Sequence, residues 1–313
     1  MSTFLQQISI TAPHFILVAI GYAMAASRRW PKPVSEGLTA FVFSLAVPAL
    51  LFRLMSEPGR LAVVDSRLLI AFFGGCLVTF IIARVVGALV FRLDGVEQSV
   101  FALGGVFSNN VLLGIPLAKA TLGEASLAPI SLVIVFNALI LWTLVTVSVE
   151  WAKHGAMTLR AFLTTAHKVV TTPVIAAVLS GAAFGAMGLR LPAMVDEPLG
   201  LIAQSAVPLA LIVVGMGLAE YGVRAGWRAG LGITGLKLVV QPLAVWGLAL
   251  ALGLSVMDRQ AVVLLASLAV GVNVYVMARQ FDSLQSAVAS SMVLSTTLSV
   301  VTTPLAIALS AGG

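Results

Sequence analysis

Charge is what this sequence has least of: Asp, Glu, Lys and Arg make up 10% of its 313 residues, where a soluble domain carries roughly a quarter. Hydrophobic residues reach 60% and the mean hydropathy is +1.08. No soluble core could hide that much apolar surface, so lipid must be the solvent for most of it. Cysteine is nearly absent as well. Cys76 stands alone in an apolar run, which excludes an intrachain disulfide and a thiolate zinc site. The three histidines, His14, His154 and His167, match no metal-binding spacing and read as one span residue and two loop residues.

Acids are missing where chemistry inside a membrane would need them. No Asp or Glu falls at mid-depth of an apolar stretch, and neither an HExxH nor a nucleophile–base pair occurs. An intramembrane enzyme is therefore disfavoured, as is an ion antiporter built on paired aspartates. A net charge of +6 would suggest nucleic acid in a soluble protein. Here Lys and Arg sit in short segments between apolar runs, which is the pattern that orients a membrane protein.

What is abundant is the apolar run. About 20 largely apolar residues are needed to cross the hydrocarbon core, and ten stretches qualify: 8–26, 34–56, 68–91, 97–121, 126–149, 169–188, 198–219, 230–254, 260–281 and 284–310. Trp30-Pro31-Lys32-Pro33, Glu57-Pro58-Gly59 and Leu191-Pro192 punctuate them. Ala23-Met24-Ala25 resembles a signal-peptide cleavage site, but the basic cluster Arg28, Arg29, Lys32 follows the apolar run instead of preceding it. The first stretch is therefore expected to be a membrane helix. Alternate loops carry ten Lys and Arg on one side and five on the other, leaving aside Arg53, Arg84 and Lys237 within spans. The positive-inside rule then places both termini outside and the 150–168 loop in the cytoplasm.

The two halves echo each other. Pro13 and Gly21 in the first span match Pro173 and Gly181 in the sixth. Glu36 before Ala46-Val47-Pro48 matches Glu197 before Ala206-Val207-Pro208. Gln98-x-Val100 leading to Asn110 matches Gln260-x-Val262 leading to Asn273. The spacing predicts an all-α membrane protein of ten transmembrane helices in two inverted five-helix repeats: residues 1–150, a cytoplasmic connection over 151–168, and residues 169–313. Such repeats are a transporter architecture, with the site where broken helices of the two halves meet near mid-membrane.

The fourth and ninth spans are the candidates for those broken helices. Gly104, Gly105, Ser108, Asn109, Asn110, Gly114 and Pro116 crowd the fourth. The proline removes a donor and clashes with the preceding turn, and glycine lowers the cost of unwinding. Gly271 and Asn273 repeat the theme in the ninth without a proline. An opened half-helix N-terminus offers N–H groups and a positive dipole end to an anion, and amide side chains add neutral donors. Asn137 and Gln204 read as interhelical hydrogen-bonding residues. Arg53 and Lys119, near span ends, read as snorkelling cations. Arg84, deeper, is balanced between steering an anion and a structural partner.

The run Ser108-Asn109-Asn110-Val111-Leu112-Leu113-Gly114-Ile115-Pro116-Leu117-Ala118-Lys119 resembles the fourth-helix pattern of the auxin efflux carrier family, which includes plant PIN-type carriers and bacterial malonate-transporter-like proteins. Ala46-Val47-Pro48-Ala49-Leu50-Leu51-Phe52 is similar to its second helix, and Val272-Asn273-Val274-Tyr275-Val276-Met277-Ala278-Arg279 to its ninth. The resemblance implies ten helices with crossing broken helices four and nine, and transport of organic anions such as malonate, malate or indole-acetate. It matches Asn109 to the plant carriers' crossover asparagine and Asn273 to the ninth-helix asparagine of bacterial members. Ser108 stands where plant members have proline, and Ala269 where many members have a ninth-helix proline. The second crossing is thus expected to be less sharply broken, or unwound at Gly271.

The reading is a secondary carrier of small organic anions in a bacterial inner membrane, with an anion channel as the alternative. Substrate contacts are expected from Asn109, Asn110, Asn273, Ser108, Gly271 and Val272, with helix breaks at Gly114 and Pro116 and anion steering by Arg84 and Lys119. No metal, cofactor or nucleic acid is expected. Coupling to H+ or Na+ and assembly as a homodimer are left open.

Overall fold

The computed structural model describes residues 2–27, 30–56, 65–154, 171, 173–221 and 226–311. Most of the 150–168 loop, with Arg160 and Lys168, lies outside the described residues, as do Arg28, Arg29, Arg60 and Arg224. Among the described residues every regular element is a helix. In chain order these are α1 (Ser2–Ala26), α2 (Lys32–Phe41), α3 (Val47–Met55), α4 (Arg67–Leu89), α5 (Gly95–Val106), α6 (Ile115–Leu122) and α7 (Leu127–His154). After the connection come α8 (Pro173–Ala186), α9 (Ala193–Tyr221), α10 (Trp227–Gly235), α11 (Gln241–Ala251), α12 (Val256–Ser267), α13 (Val272–Gln280) and α14 (Gln285–Ser310). Six helical stretches are long and apolar enough to cross a membrane: Lys32–Met55, Arg67–Leu89, Glu124–Lys153, Ala193–Ala219, Trp227–Ala251 and Gln285–Ser310.

The outward faces say what solvent these helices meet. On α4, Ile70, Leu77, Val78, Ile81, Ile82, Val85 and Leu89 are exposed while Leu68, Phe72, Cys76 and Phe80 are buried. Both stripes follow the 3.6-residue period, so the helix is apolar on the face it packs and on the face it shows. That combination is stable only against lipid.

Proline sets the local irregularities. α2 runs into α3 through a π-helical turn at Val42–Ala46, Asn110–Gly114 leads into α6, and Leu236–Val240 joins α10 to α11. In each case the second residue of the following helix is a proline: Pro48, Pro116 or Pro242. A proline ring collides with the carbonyl four residues back, and widening the turn relieves the collision. The residue before each proline then donates five residues back: Val47 to Val42, Ile115 to Asn110 and Gln241 to Leu236.

Packing divides the chain into two groups. α1 lies along α9, and α3 packs on α8 and α9. α4 packs on α5 and α11, α14 on α10, and α12 on α11 and α14; α1 against α14 joins the two sets. Glycines let backbones touch in the first group. A Cβ at Gly21 would stand 2.1 Å from the Ile212 carbonyl oxygen, and one at Gly181 would stand 2.6 Å from that of Phe52.

Candidate binding site

α5 stops at Val106, and the chain runs extended through Phe107 (φ −89°, ψ 101°) before helix resumes at Asn110. α12 stops at Ser267, Leu268 is extended (φ −68°, ψ 159°), and helix resumes at Val272. The two extended pieces meet as a short antiparallel bridge between Ser108 and Val270. The Asn109 N–H donates to the Ala269 carbonyl at 2.9 Å, and the Gly271 N–H to the Phe107 carbonyl at 2.8 Å. Opened backbone is tolerable in an apolar interior only when such partners exist. The Val270 N–H completes the set by donating to Ser295 Oγ at 3.0 Å.

The second break thus forms without a proline, at Leu268–Gly271. Gly271 is required by space: a Cβ there would lie 2.9 Å from the Ser108 carbonyl oxygen. Gly114 serves a similar close approach, with Leu265 and Leu268 side-chain atoms 3.0 Å from its virtual Cβ. Cut helix ends also expose carbonyls, and these find donors. Gln241 Nε2 donates to the Val106 carbonyl at 2.8 Å, Lys237 Nζ to that of Ala266 at 2.6 Å, and Thr303 Oγ1 to that of Ser267 at 2.9 Å.

Against this crossing lies a cavity of about 480 Å³. The structure brings Ser108, Asn109, Asn110, Gly271, Val272 and Asn273 together in its wall, joined by Asn137, Gln280 and the apolar side chains of Phe43, Phe107, Ile134, Trp142 and Ile175. Ser108, Asn109, Asn110 and Asn137 are buried, whereas Asn273 is exposed. Ser108 Oγ, both polar atoms of the Asn110 amide and Asn137 Oδ1 are buried with no hydrogen-bond partner. Buried polar groups left unsatisfied cost about 1–3 kcal/mol each, so several in one wall mark a place where a polar ligand completes the bonding. The first N–H groups of Asn110–Leu122 and of α13, which lack intrahelical acceptors, start at the same crossing. None of the described lining side chains is charged.

Elsewhere a pair of cavities of about 510 and 550 Å³ shares Leu50, Arg53, Lys119 and Ala203. Here Arg53 clasps Asp196 through Nε and an Nη at 2.6 and 2.8 Å, and Lys119 pairs with Glu124 at 2.7 Å. Pro116 and Gln204 also line this region. Arg84 lies in neither place. Its guanidinium donates to Gln98, Ser99 and Ser148, tying α4 to α5 and α7. Among the described residues no three His, Cys, Asp or Glu gather to hold a metal ion. Asn137 is the lining residue that sequence reasoning undervalued. A single amide in a span gives no sign of whether it faces a neighbour or a cavity.

Residues 8–307 match the family model described as "Membrane transport protein". A protein of Rhizobium meliloti (strain 1021) whose name proposes malonate transport is 28% identical over 299 residues, covering 94% of this chain and 92% of its own. An uncharacterized transporter of Methanothermobacter thermautotrophicus is 23% identical over 93% of this chain and 94% of its own. Auxin efflux carrier component 8 of Arabidopsis thaliana is 20% identical, covering 88% of this chain and 89% of its own.

Proposed function

Because this chain belongs to the membrane transport protein family that includes the auxin efflux carriers, an integral membrane transporter and not an enzyme, we propose that it carries small organic carboxylates across a bacterial inner membrane. Alternating access around the crossing of the fourth and ninth spans is the mechanism. The observation that carries the reading is the cluster of unpartnered buried Ser108, Asn110 and Asn137 atoms beside two half-helix N-termini. Neutral donors and dipole ends stabilise one carboxylate without trapping it beside a fixed cation.

Ten spans in two inverted repeats are supported by contacts that exchange between the halves. Gly21 meets Ile212 and Gly181 meets Phe52; adding 160 to 21 and to 52 gives 181 and 212. At the crossing, Phe107, Ser108 and Asn109 each stand 162 positions before Ala269, Val270 and Gly271, and the two hydrogen bonds map onto each other. The two regions of cavity share no lining residue and are displaced along the same helices. α7 gives Ile134, Asn137 and Trp142 to one and Leu127 to the other, and the helical stretch Asn110–Leu122 begins at the first and carries Lys119 into the second. Cavity regions that share no lining residue favour a carrier over an open anion pore.

The neutral, largely apolar wall favours a monocarboxylate with an apolar body. A second carboxylate would lie against Phe43, Phe107 or Trp142, with no cation among the described lining side chains to meet it. Proteoliposome uptake of labelled mono- and dicarboxylates, with imposed H+ and Na+ gradients, tests both levels. Saturable uptake led by monocarboxylates is expected. A dicarboxylate preferred at neutral pH would overturn the charge rule, and no saturable carboxylate uptake would overturn the function.

A further inference from the structure

Among the described residues, no charge-bearing side chain is buried more deeply than the cation that caps the cut end of α12. Lys237 is 0% exposed, and among the described residues it forms no ion pair. Its Nζ donates to the Ala266 carbonyl at 2.6 Å, one of the last carbonyls of α12, where the helix is cut for the crossing. One turn later, Gln241 Nε2 reaches the Val106 carbonyl of α5 at 2.8 Å and lies 3.3 Å from Cys76 Sγ. The π-helical turn Leu236–Val240, forced open by Pro242, contains Lys237 and is followed directly by Gln241. It sets them on one face, so that a single stretch of chain caps the cut ends of both half-helices.

The charge at such an end has a sign. Unsatisfied carbonyls and the helix dipole make a half-helix C-terminus negative. In transporters with broken helices, these C-terminal ends and unwound carbonyls are where coupling cations bind. We propose that Lys237 is a built-in cation: its ammonium neutralises the cut end of α12 where a coupling ion would otherwise sit, so the crossing forms without Na+ or K+. Lys237 is then a positioning residue, since it holds the segment that carries Gly271 and Asn273 and does not face the cavity.

The test needs no knowledge of the substrate. The purified full chain is melted in NaCl, KCl and choline chloride at equal ionic strength, as wild type, Lys237→Met and Lys237→Ala. Anything that binds the folded state alone raises the melting temperature with its concentration. The wild type should melt alike in all three salts. Lys237→Met, which fills the same space without charge, should melt several degrees lower in all three. Lys237→Ala, which leaves room at the Ala266 carbonyl, should melt several degrees lower in choline and recover part of the loss as Na+ or K+ rises. A wild type selectively raised by Na+ or K+ overturns the proposal, because the crossing would then take an ion despite the ammonium; this arm needs no variant. Lys237→Met melting as wild type would reduce the side chain to a space-filler, and Lys237→Ala unmoved by cations would show that the cut end needs no charge.

Discussion

Single side chains divide here into those that hold the molecule and those that wait for a ligand. Arg84 belongs with the first, since its three polar partners bind helices together. Asn110 and Asn137 belong with the second, because both polar atoms of the Asn110 amide and Oδ1 of Asn137 are buried without partners. Replacing an unsatisfied buried amide by an apolar group of similar size removes a desolvation cost of about 1–3 kcal/mol. Asn110→Leu should therefore melt at or above the wild-type temperature. A hydrogen bond to a charged group contributes about 1.5–3 kcal/mol, and tenfold in affinity is about 1.4 kcal/mol. Substrate binding to purified Asn110→Leu should thus weaken about ten- to a hundredfold; Asn137→Leu should behave alike. A lower melting temperature with unchanged affinity would mark these amides as structural. Asn109 was legible from its motif, whereas Asn137 needed the third dimension. An isolated span asparagine looks the same in sequence whichever way it points.

At the scale of elements, the crossing depends on close approach. Gly271→Ala would press a methyl group against the Ser108 carbonyl, 2.9 Å away, and force apart the strands joined by the bonds at 2.9 and 2.8 Å. Overpacking of this kind costs about 1–3 kcal/mol. Melting temperature and uptake should both fall, whereas Gly247→Ala in α11, with nothing within 4 Å of the new methyl, should leave uptake intact and add a little stability through helix propensity. Equal behaviour of the two variants would contradict the packing argument. The first break opens at Phe107–Asn109, just after Gly104 and Gly105, whereas Gly114 and Pro116, where breaks were expected, fall inside the helix Asn110–Leu122. The second was half-readable, since Gly271 without a proline is consistent with a kink or a cut. What decides for a cut is the partner strand, a contact between residues 162 positions apart that no local pattern encodes. Lys237 illustrates the same limit: hydropathy showed a cation inside a span, but not that it faces the end of another helix.

For the whole molecule, hydropathy marked an all-helical membrane protein because lipid imposes a length and an apolar face on each span, and the charge bias proposes a direction for them. The packing of the spans into two groups was not legible, since every span offers similar apolar surface to its neighbours. Direction is testable on one helix. α7 has 28 residues, about 42 Å at 1.5 Å per residue, enough to carry its ends to opposite faces. Ala125 just before it and Lys153 near its end are both exposed. With buried Cys76 replaced by serine, Ala125→Cys should react with an impermeant thiol reagent in intact cells, and Lys153→Cys only after the membrane is opened. The reverse result would invert the topology. The same background reports on the two regions of cavity, since Gln204 lines the region near Lys119 and Gln280 lines the cavity at the crossing. A cysteine at 204 should react from outside and one at 280 from the cytoplasmic side, with substrate slowing the reaction at 280. A carrier never opens both ways at once, so rapid labelling of both positions by one external reagent, indifferent to substrate, would instead describe a continuous pore through the crossing.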